Sequence, residues 1–578
     1  MCQSASRHES EIHDSTAAAR GRYSRFLHPA LCCAAVLSCV LLAWPFANSA
    51  FNDDWSYADV SLRFAQTGRV TYNGWGGATI LFQTLWGAAW IRLFGFSFDL
   101  LRLATLPFSI GFVLLVYAIG LTSGLRRIVA LFAALTVATS PLFIPFSASY
   151  MTEPYECFFT ALCIYATLAS AQARDGHRGG TFWLWTLAAS GILGGSDRQV
   201  VWAAPLALIP YLFWLKRADR RFRLHAAAAY TVCGLSLVIV LRMLPQHYAP
   251  LELPRQQIMR LMWHSSVPAV FTLFACFLSC LLVCLPAFIH MATRTHFTGR
   301  SIYWSSAAAT LFTGFLSVCL GGRYGLAPFL GNTVSLSGIL DEGQDAMGSR
   351  PSVLPLFLRF GLTLLLLFLV IACGSRFSRP RRHPASIPTR VFWIFSCAYM
   401  ALLLPGALLG MTFDRYLLPI FPLIVISLLM LTPQTEHISF AAWACLAVFA
   451  GYATATTHDY FSGLRARGLA ADVLRSRGVP PDHISAGFEY DGWLQLQVAG
   501  SVRPVQYGDN LSVRPGEFWF WQKTTALTPE YVVSSWPVGI MPIPRLATIP
   551  FSAWLPPFHR AAVVLKRADI PAGHARGD

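Results

Sequence analysis

The chain has 578 residues, of which 55% are hydrophobic and only 12% are charged, and its mean hydropathy is +0.50. Because this charged fraction is about half that of a soluble protein and apolar runs of bilayer length recur, the composition excludes a soluble globular protein. The net charge of +16 comes from basic clusters in short loops between apolar runs, which is typical of cytoplasmic loops and argues against a nucleic-acid partner.

The first 27 residues are polar, with Arg20, Arg22 and Arg25 before the first apolar run, and they predict a cytoplasmic N-terminal tail. The run at 28–48 ends without a persuasive small-residue cleavage site, so it predicts a retained signal-anchor span. Every cysteine except Cys2 lies in or beside an apolar run, and none forms a CxxC pair with metal spacing in a loop. This distribution argues against a zinc site and a disulfide framework.

About thirteen apolar runs predict membrane spans. They lie near 28–48, 103–122, 127–146, 154–172, 181–196, 198–215, 225–244, 267–289, 303–322, 352–374, 391–410, 415–431 and 438–457. Charge decides against a fourteenth candidate, 78–96, because its crossing would place KRADRRFR (216–223) and SRFSRPRRH (375–383) outside, against the positive-inside rule. We therefore expect an interfacial amphipathic helix there, a cytoplasmic N-terminus and an external C-terminus.

This topology divides the chain into a cytoplasmic tail (1–27), an all-α polytopic membrane domain (28–457) and a C-terminal part (458–578). The membrane domain contains a large first external loop at 49–102. After Thr457, short mixed segments with Pro and Gly punctuation predict a small external α/β domain.

A pair of carboxylates, Asp53 and Asp54, follows the first predicted span directly. Adjacent like charges at the mouth of a span repel one another, and such a carboxyl group is suited to proton transfer. The aromatic residues Trp55 and Tyr57 would exclude water around it. The alternative is a solvated helix start, since Asp is a common N-cap residue.

A third candidate acid, Glu153, precedes Pro154 at the external start of the fourth predicted span. A carboxylate at a helix N-terminus is favoured by the helix dipole alone, so a structural role stays open. Glu156 lies one turn deeper, and acids within a span are functional candidates by default.

Two arginines at external span ends are candidates for binding a phosphate through paired hydrogen bonds. Arg198 occurs in DRQ beside Gln199, although it could simply set the depth of its span. Arg415 occurs in DRYLLP between Asp414 and Tyr416, where Asp414 could neutralise it as a local pair and Tyr416 is a further candidate for binding the donor phosphate. Weaker phosphate candidates near other external ends are Arg242, Arg323 and Arg359.

The segments NDDWSYA (52–58), FQTLWGAAWIRLFGFSFDLLRL (82–103), MTEP (151–154), DRQ (197–199) and DRYLLPIFP (414–422) occur in the order seen in one family. In this order the chain resembles bacterial GT-C glycosyltransferases, the enzymes akin to lipid A aminoarabinose transferase and protein O-mannosyltransferases. The segment AGFEYDGW (486–493) is similar to one common in a bacterial branch of that superfamily.

The resemblance implies transfer of a sugar from a polyprenyl-phosphate donor at the periplasmic face of a bacterial inner membrane. Asp53 is the implied catalytic base, with Asp54 beside it and Glu153 assisting. Arg198 and Arg415 occupy positions suited to the lipid phosphate. The acceptor is a lipid, a glycan or a protein, and we expect an inverting reaction without a metal cofactor, although external acids could hold Mg²⁺ or Mn²⁺.

Two alternatives from other classes stay open at this point. One is a transporter or lipid flippase, although its binding site is expected near the membrane midplane and the ionisable residues lie at one face. The other is a non-catalytic assembly protein. The enzyme hypothesis alone requires Asp53, Glu153 and Arg415 to share one external cavity. The residues predicted to line this substrate cavity are Trp55, Tyr57, Gln199 and Asp414.

Overall fold

The structure of the protein is a computed structural model, which describes part of the chain. The described residues are 26–174, 176, 178–243, 273–274, 276–295, 297–319, 326–327, 333–340, 352–377, 385–408, 413–433, 437–502, 518–535 and 544–567. Most of the predicted N-terminal tail and the candidate Arg323 therefore lie outside the described residues.

Helices dominate the described part of the chain, as the apolar composition predicts. The N-terminal helices are α1 (Phe26–Ala43), α2 (Asp54–Thr67), α3 (Leu81–Phe94), α4 (Phe98–Thr122), α5 (Arg127–Ala138), α6 (Ile144–Ser147), α7 (Glu153–Gln172), α8 (Arg178–Asp197) and α9 (Ala203–Leu215). The central and C-terminal helices are α10 (Arg220–Met243), α11 (Cys276–Val283), α12 (Leu285–Thr293), α13 (Gly299–Cys319), α14 (Leu356–Phe377), α15 (Ile387–Leu408), α16 (Phe421–Met430), α17 (Phe440–Ser476) and α18 (Phe488–Ala499). Short 3₁₀ helices cover Gln199–Trp202, Asp414–Leu417, Pro481–His483 and Trp519–Gln522.

The prediction of a multi-pass membrane protein is supported by six described helices that are long and apolar enough to cross a bilayer: α1, α4, α10, α14, α15 and α17. The pair α11 and α12, which is bent by 55°, would make a seventh span. The count of about thirteen stays a prediction, because several runs form shorter or broken helices. The run at 127–146, for example, divides into α5 and α6, with Pro141 in the interruption and Pro145 in the first turn of α6.

Helix α3 covers the doubtful fourteenth candidate. It has 14 residues, and at about 1.5 Å per residue such a helix is shorter than the roughly 30 Å hydrocarbon core. Its buried side consists of Gln83, Thr84, Gly87, Ala88 and Ile91, so it packs against the rest of the protein on one face. The length supports the prediction that this segment does not cross.

The ends of the first and last predicted spans lie together. Arg465 of α17 donates from Nη1 to the backbone oxygen of Trp44, which follows α1, at 2.9 Å. The segment after α1 is therefore held against α17 at a point just beyond the last predicted span, 438–457.

The C-terminal part contains a four-stranded sheet in the order β3–β4–β6–β5. Its strands are β3 (Ile484–Ser485), β4 (Tyr531–Ser534), β5 (Arg545–Ser552) and β6 (His559–Lys566), with β3 and β4 parallel and the other pairs antiparallel. Earlier in the sequence, β1 (Val334–Ser335) pairs with β2 (Gly338–Ile339) in a separate antiparallel hairpin.

Helix α17 runs without a break through the predicted domain boundary at 457/458 and is 37 residues long. Its second half buries Ala466, Ala470, Ala471 and Leu474 in one apolar cluster with strand residues such as Val533. This spacing of four, one and three residues forms a single helix face. Helix α17 therefore continues from the last predicted span into the apolar cluster beside the sheet. That the C-terminal part forms a separate α/β domain stays a prediction.

Helix α18, which begins in the segment AGFEYDGW, packs on α2. A Cβ atom added to Gly492 would lie 2.6 Å from the Trp55 ring, so only glycine permits this contact. The Trp55 side chain is fully buried between the two helices and the aromatic residues Phe488 and Phe520.

We expect Gly492→Ala to destabilise the protein by about 1–3 kcal/mol, because the Trp55 ring is too enclosed to move aside. Thermal unfolding of the purified protein would measure the change. Gly468→Ala is the matched control, since this helical glycine of α17 has no atom within 4 Å of an added Cβ. Equal melting temperatures for the two variants would contradict the expected clash.

Candidate functional site

Asp53 lies at the start of α2, where the chain has just left the first predicted span. It is the N-cap residue of α2, but its carboxylate makes no capping hydrogen bond. Instead, Oδ2 lies 3.2 Å from Nη2 of Arg415, and Oδ1 accepts a hydrogen bond of 2.9 Å from Nε1 of Trp75. The Asp53 side chain is 15% exposed, so it remains accessible to a ligand.

From Asp53 a continuous series of ion pairs extends into the protein. Arg415 Nε lies 3.1 Å from Oε1 of Glu153, and Nη1 of Arg198 lies 3.1 Å from the same oxygen. Nη1 of Arg198 also lies 2.9 Å from Oε2 of Glu156. We call these five residues, Asp53, Arg415, Glu153, Arg198 and Glu156, the acid–arginine chain. Three carboxylates and two guanidinium groups alternate in it.

Local structure explains why each of these side chains reaches the same point. Glu153 and Glu156 lie in the first turn of α7, where Pro154 suits the helix start and carboxylates are favoured by the helix dipole. Arg198 directly precedes the 3₁₀ helix after α8, and Arg415 lies within the 3₁₀ helix before α16. Both arginines thus extend from helix interruptions rather than from regular spans.

The ring of Tyr416 contacts both arginines of the acid–arginine chain. The guanidinium carbon of Arg198 lies 4.3 Å from its centroid, and that of Arg415 lies 5.7 Å away. Cation–π contacts of this kind favour the charged guanidinium and restrict its orientation. The structure therefore brings Tyr416 together with Arg198 and Arg415, and its role at the donor phosphate stays a prediction.

Two members of this environment were not expected from the sequence. Tyr399 donates to Oε1 of Glu156 at 2.6 Å, and Trp75 donates to Asp53. Tyr399 is in the middle of an apolar helix and Trp75 is in an irregular loop, so no sequence motif marks either of them as a site residue. Glu156, only a secondary candidate by sequence, is a full member of the acid–arginine chain.

Asp54 is not brought into the acid–arginine chain. Its side chain is fully buried, accepts a hydrogen bond of 2.6 Å from the backbone N–H of Phe51, and lies 3.8 Å from Arg102. Burial raises the pKa of the Asp54 carboxyl to about 7, although the Arg102 charge opposes this shift. Adjacent residues of a helix differ in direction by about 100°, which explains why Asp53 and Asp54 face different surroundings.

The four predicted cavity residues have different surroundings. Tyr57 is buried near the charges of Asp53 and Glu153, and burial raises the pKa of its phenol well above the usual value. Gln199 donates to the backbone oxygen of Gly77 at 3.1 Å. Trp55 is a fully buried packing residue between α2 and α18.

Asp414 holds the β1–β2 hairpin instead of neutralising its neighbour. Its carboxylate accepts hydrogen bonds of 2.9 Å each from the backbone N–H groups of Thr333, Val334 and Arg415. This arrangement leaves the Arg415 guanidinium to Asp53 and Glu153. Of the weaker phosphate candidates, Arg359 is buried and donates to the backbone oxygens of Leu326 and Ala327, while Arg242 lies in the last turn of α10.

Within the described part of the chain, no group of three or more His, Cys, Asp or Glu side chains could hold a metal ion. The carboxylates of the acid–arginine chain are engaged by arginines. The expected independence from a metal cofactor stays a prediction.

Comparison with known proteins supports the resemblance seen in the motifs. Residues 88–245 match the model of the dolichyl-phosphate-mannose-protein mannosyltransferase family. This region includes the segments MTEP and DRQ, which contain Glu153 and Arg198. The predicted resemblance to GT-C glycosyltransferases is thereby confirmed. No curated protein sequence matches the chain significantly.

Three solved structures show a remote similarity to the chain. ArnT from Cupriavidus metallidurans bound to undecaprenyl phosphate is 13% identical with a TM-score of 0.39, and the match covers 94% of this chain and 98% of that one. The archaeal oligosaccharyltransferase AglB from Archaeoglobus fulgidus, in complex with an inhibitory peptide and a dolichol-phosphate, is 11% identical with a TM-score of 0.38 and coverages of 89% and 70%. The S. cerevisiae Pmt1–Pmt2 complex bound to the sugar donor is 16% identical with a TM-score of 0.32, and the match covers 40% of this chain and 35% of that one.

Proposed function

We propose that the protein is an integral-membrane glycosyltransferase that moves a hexose or pentose from a polyprenyl-phosphate donor to an acceptor at the periplasmic membrane face. The observation that carries this proposal is the acid–arginine chain. Four distant parts of the sequence contribute an accessible carboxylate, a buried carboxylate and two arginines to one site. The family match over residues 88–245 supports the same class of reaction.

In the proposed reaction, a hydroxyl or amino group of the acceptor attacks the anomeric carbon of the donor sugar. Asp53 takes the proton of the nucleophile as the new bond forms, and the bond between the anomeric carbon and the phosphate oxygen breaks. The electron pair leaves with the polyprenyl phosphate. A single displacement of this kind inverts the anomeric centre, and Asp53 is suited to it because its side chain is accessible and held at both oxygens.

The arginines would stabilise the charge that develops on the leaving phosphate, an interaction stronger in the transition state than before it. Arg198 is well placed for this role because Nη1 alone donates to Thr152 and Glu153 and also lies 2.9 Å from Oε2 of Glu156. Its other nitrogens have no acceptor among the described residues. Arg415 links the phosphate side of the site to Asp53, so binding of the donor would also order the base.

Location at a membrane face suits this donor, because the isoprenoid tail can remain between spans while the sugar reaches the site. The proposed acceptor is a lipid, a glycan or a protein of the bacterial cell envelope. The proposed topology has a cytoplasmic N-terminus and a periplasmic C-terminal part, in line with the contact between Trp44, after the first apolar helix, and Arg465, just beyond the last predicted span.

Label transfer from a panel of donors tests the proposal. Purified protein would receive undecaprenyl-phosphate-linked sugars, or the matching nucleotide sugars, together with envelope extracts as acceptors. We expect labelled product only from the lipid-linked donors. The proposal would be contradicted if labelled product formed only with nucleotide sugars, or if no donor in the panel gave labelled product.

We expect removal of divalent metal by EDTA to leave the transfer rate within about twofold, because arginines can stabilise a monophosphate leaving group. The measurement compares initial rates before and after chelation and after re-addition of Mg²⁺ or Mn²⁺. A loss that either ion restores would show that a metal takes part.

A further inference from the structure

We propose that the C-terminal part of the chain positions the catalytic carboxylate through Trp75. This inference rests on the proposed function of Asp53 as the base and gives the C-terminal part a role in the reaction. It starts from one hydrogen bond, in which Nε1 of Trp75 donates to Oδ1 of Asp53 at 2.9 Å.

The bond completes the restraint of the Asp53 carboxylate. Oδ2 is held by Arg415 on one side, and Oδ1 is held by Trp75 on the other. A carboxylate held at one oxygen can still rotate about its side-chain bonds, whereas two partners fix its plane. Because the rate of proton transfer depends on a near-attack geometry, fixing this plane favours the reaction.

Trp75 is itself held by aromatic residues from the C-terminal part. Its ring centroid lies 5.2 Å from that of Phe520, 5.6 Å from Phe488 and 6.3 Å from Trp519. Phe520 and Phe488 are buried, so these contacts are shielded from solvent. On the other side, the Trp75 ring lies 5.4 Å from Trp55 of α2.

The backbone of the loop that carries Trp75 is fixed from the same two sides. The N–H of Val502 donates to the backbone oxygen of Asn73 at 3.0 Å, which joins the loop to the C-terminal part. A Cβ added to Gly74 would lie 3.0 Å from the Val502 oxygen, and one added to Gly76 would lie 2.9 Å from the Tyr57 ring. The loop is therefore enclosed between α2 and the C-terminal part. The C-terminal part thus fixes Trp75, and Trp75 fixes the Asp53 carboxylate.

The test is Trp75→Phe, which keeps an aromatic ring in the cluster but removes the N–H donor. We expect kcat for sugar transfer to fall about tenfold while KM for the lipid-linked donor stays within about twofold, since the lost bond orients the base and does not bind donor. Trp86→Phe is the matched control. Its Nε1 donates to the backbone oxygen of Ala104 at 2.8 Å, so it loses a similar bond without touching Asp53.

A second pair of variants tests the C-terminal contact itself. Phe520→Leu removes the ring nearest to Trp75, and we expect it to lower kcat in the same manner, by about threefold to tenfold. Phe551→Leu makes the same substitution in strand β5, within the apolar cluster formed with α17, and should leave kcat unchanged for the folded fraction.

The outcomes separate the inference from the function on which it rests. Two results would overturn the inference alone, provided that the wild type transfers sugar. One is a wild-type kcat in Trp75→Phe, and the other is an equal loss of kcat in Trp75→Phe and Trp86→Phe. Equal losses in Phe520→Leu and Phe551→Leu would also overturn it, because they would indicate general destabilisation. A wild-type protein that transfers no sugar overturns the proposed function, and the inference fails with it.

Discussion

Asp53→Asn should lower the rate of sugar transfer by about 10²–10⁴-fold, the range expected for loss of a general base. The amide oxygen can still accept the hydrogen bond from Trp75, so the side chain keeps its shape and one of its two partners. It cannot take a proton from the acceptor. Initial rates at saturating lipid-linked donor would measure the loss.

Asp459→Asn is the control for this variant. Asp459 lies in helix α17, is buried, and is also paired with an arginine, since Nη2 of Arg560 lies 3.4 Å from its Oδ2. It lies outside the acid–arginine chain. We expect its rate, corrected for the folded fraction, to stay within about threefold of wild type. Similar losses in both variants would remove the special role of Asp53.

Arg415→Lys should lower the transfer rate by about 10²-fold, even though it conserves the positive charge. Two separate nitrogens of Arg415 reach two acids, Nη2 to Asp53 and Nε to Glu153. A single ammonium group on a flexible stem cannot reproduce this bridge. The expected loss appears mainly in kcat, because the bridge orders the base and the phosphate side of the site together.

The control is Arg475→Lys in α17, in which the exposed guanidinium also pairs with a carboxylate, since Nη2 lies 3.5 Å from Oδ1 of Asp472. Its effect on kcat should be less than about threefold. A double variant of Arg198→Lys and Arg415→Lys should lose less than the product of the single losses, because both arginines contact Oε1 of Glu153. Independent, fully multiplicative losses would contradict a shared site.

The sequence alone predicts much of the acid–arginine chain because of a constraint that the bilayer imposes. Charged residues at the ends of spans are confined to one of two faces, so counting spans assigns Asp53, Glu153, Arg198 and Arg415 to the same side. The structure then brings these four residues into contact. Counting spans does not show which of two neighbouring charged residues, such as Asp53 and Asp54, faces the site. In α2 this choice depends on helix phase, which turns Asp54 towards Arg102.

Contacts between distant apolar segments are the part that the sequence does not predict. Tyr399 lies in the apolar helix α15 and meets Glu156 only through packing of α15 against α7. The extent of α17 is missed for a related reason. Hydropathy falls near 457, but the helix continues because its buried face passes to the C-terminal sheet. In both cases tertiary packing decides what local pattern leaves open.

The most direct test is to follow the fate of the donor in proteoliposomes that carry a labelled polyprenyl-phosphate sugar in one leaflet, with envelope extract supplied as the acceptor. Wild-type protein should release polyprenyl phosphate in a one-to-one ratio with transferred sugar, and Asp53→Asn should release almost none. Movement of intact donor between leaflets without cleavage, at equal rates in both proteins, would instead indicate a flippase and contradict sugar transfer at the acid–arginine chain.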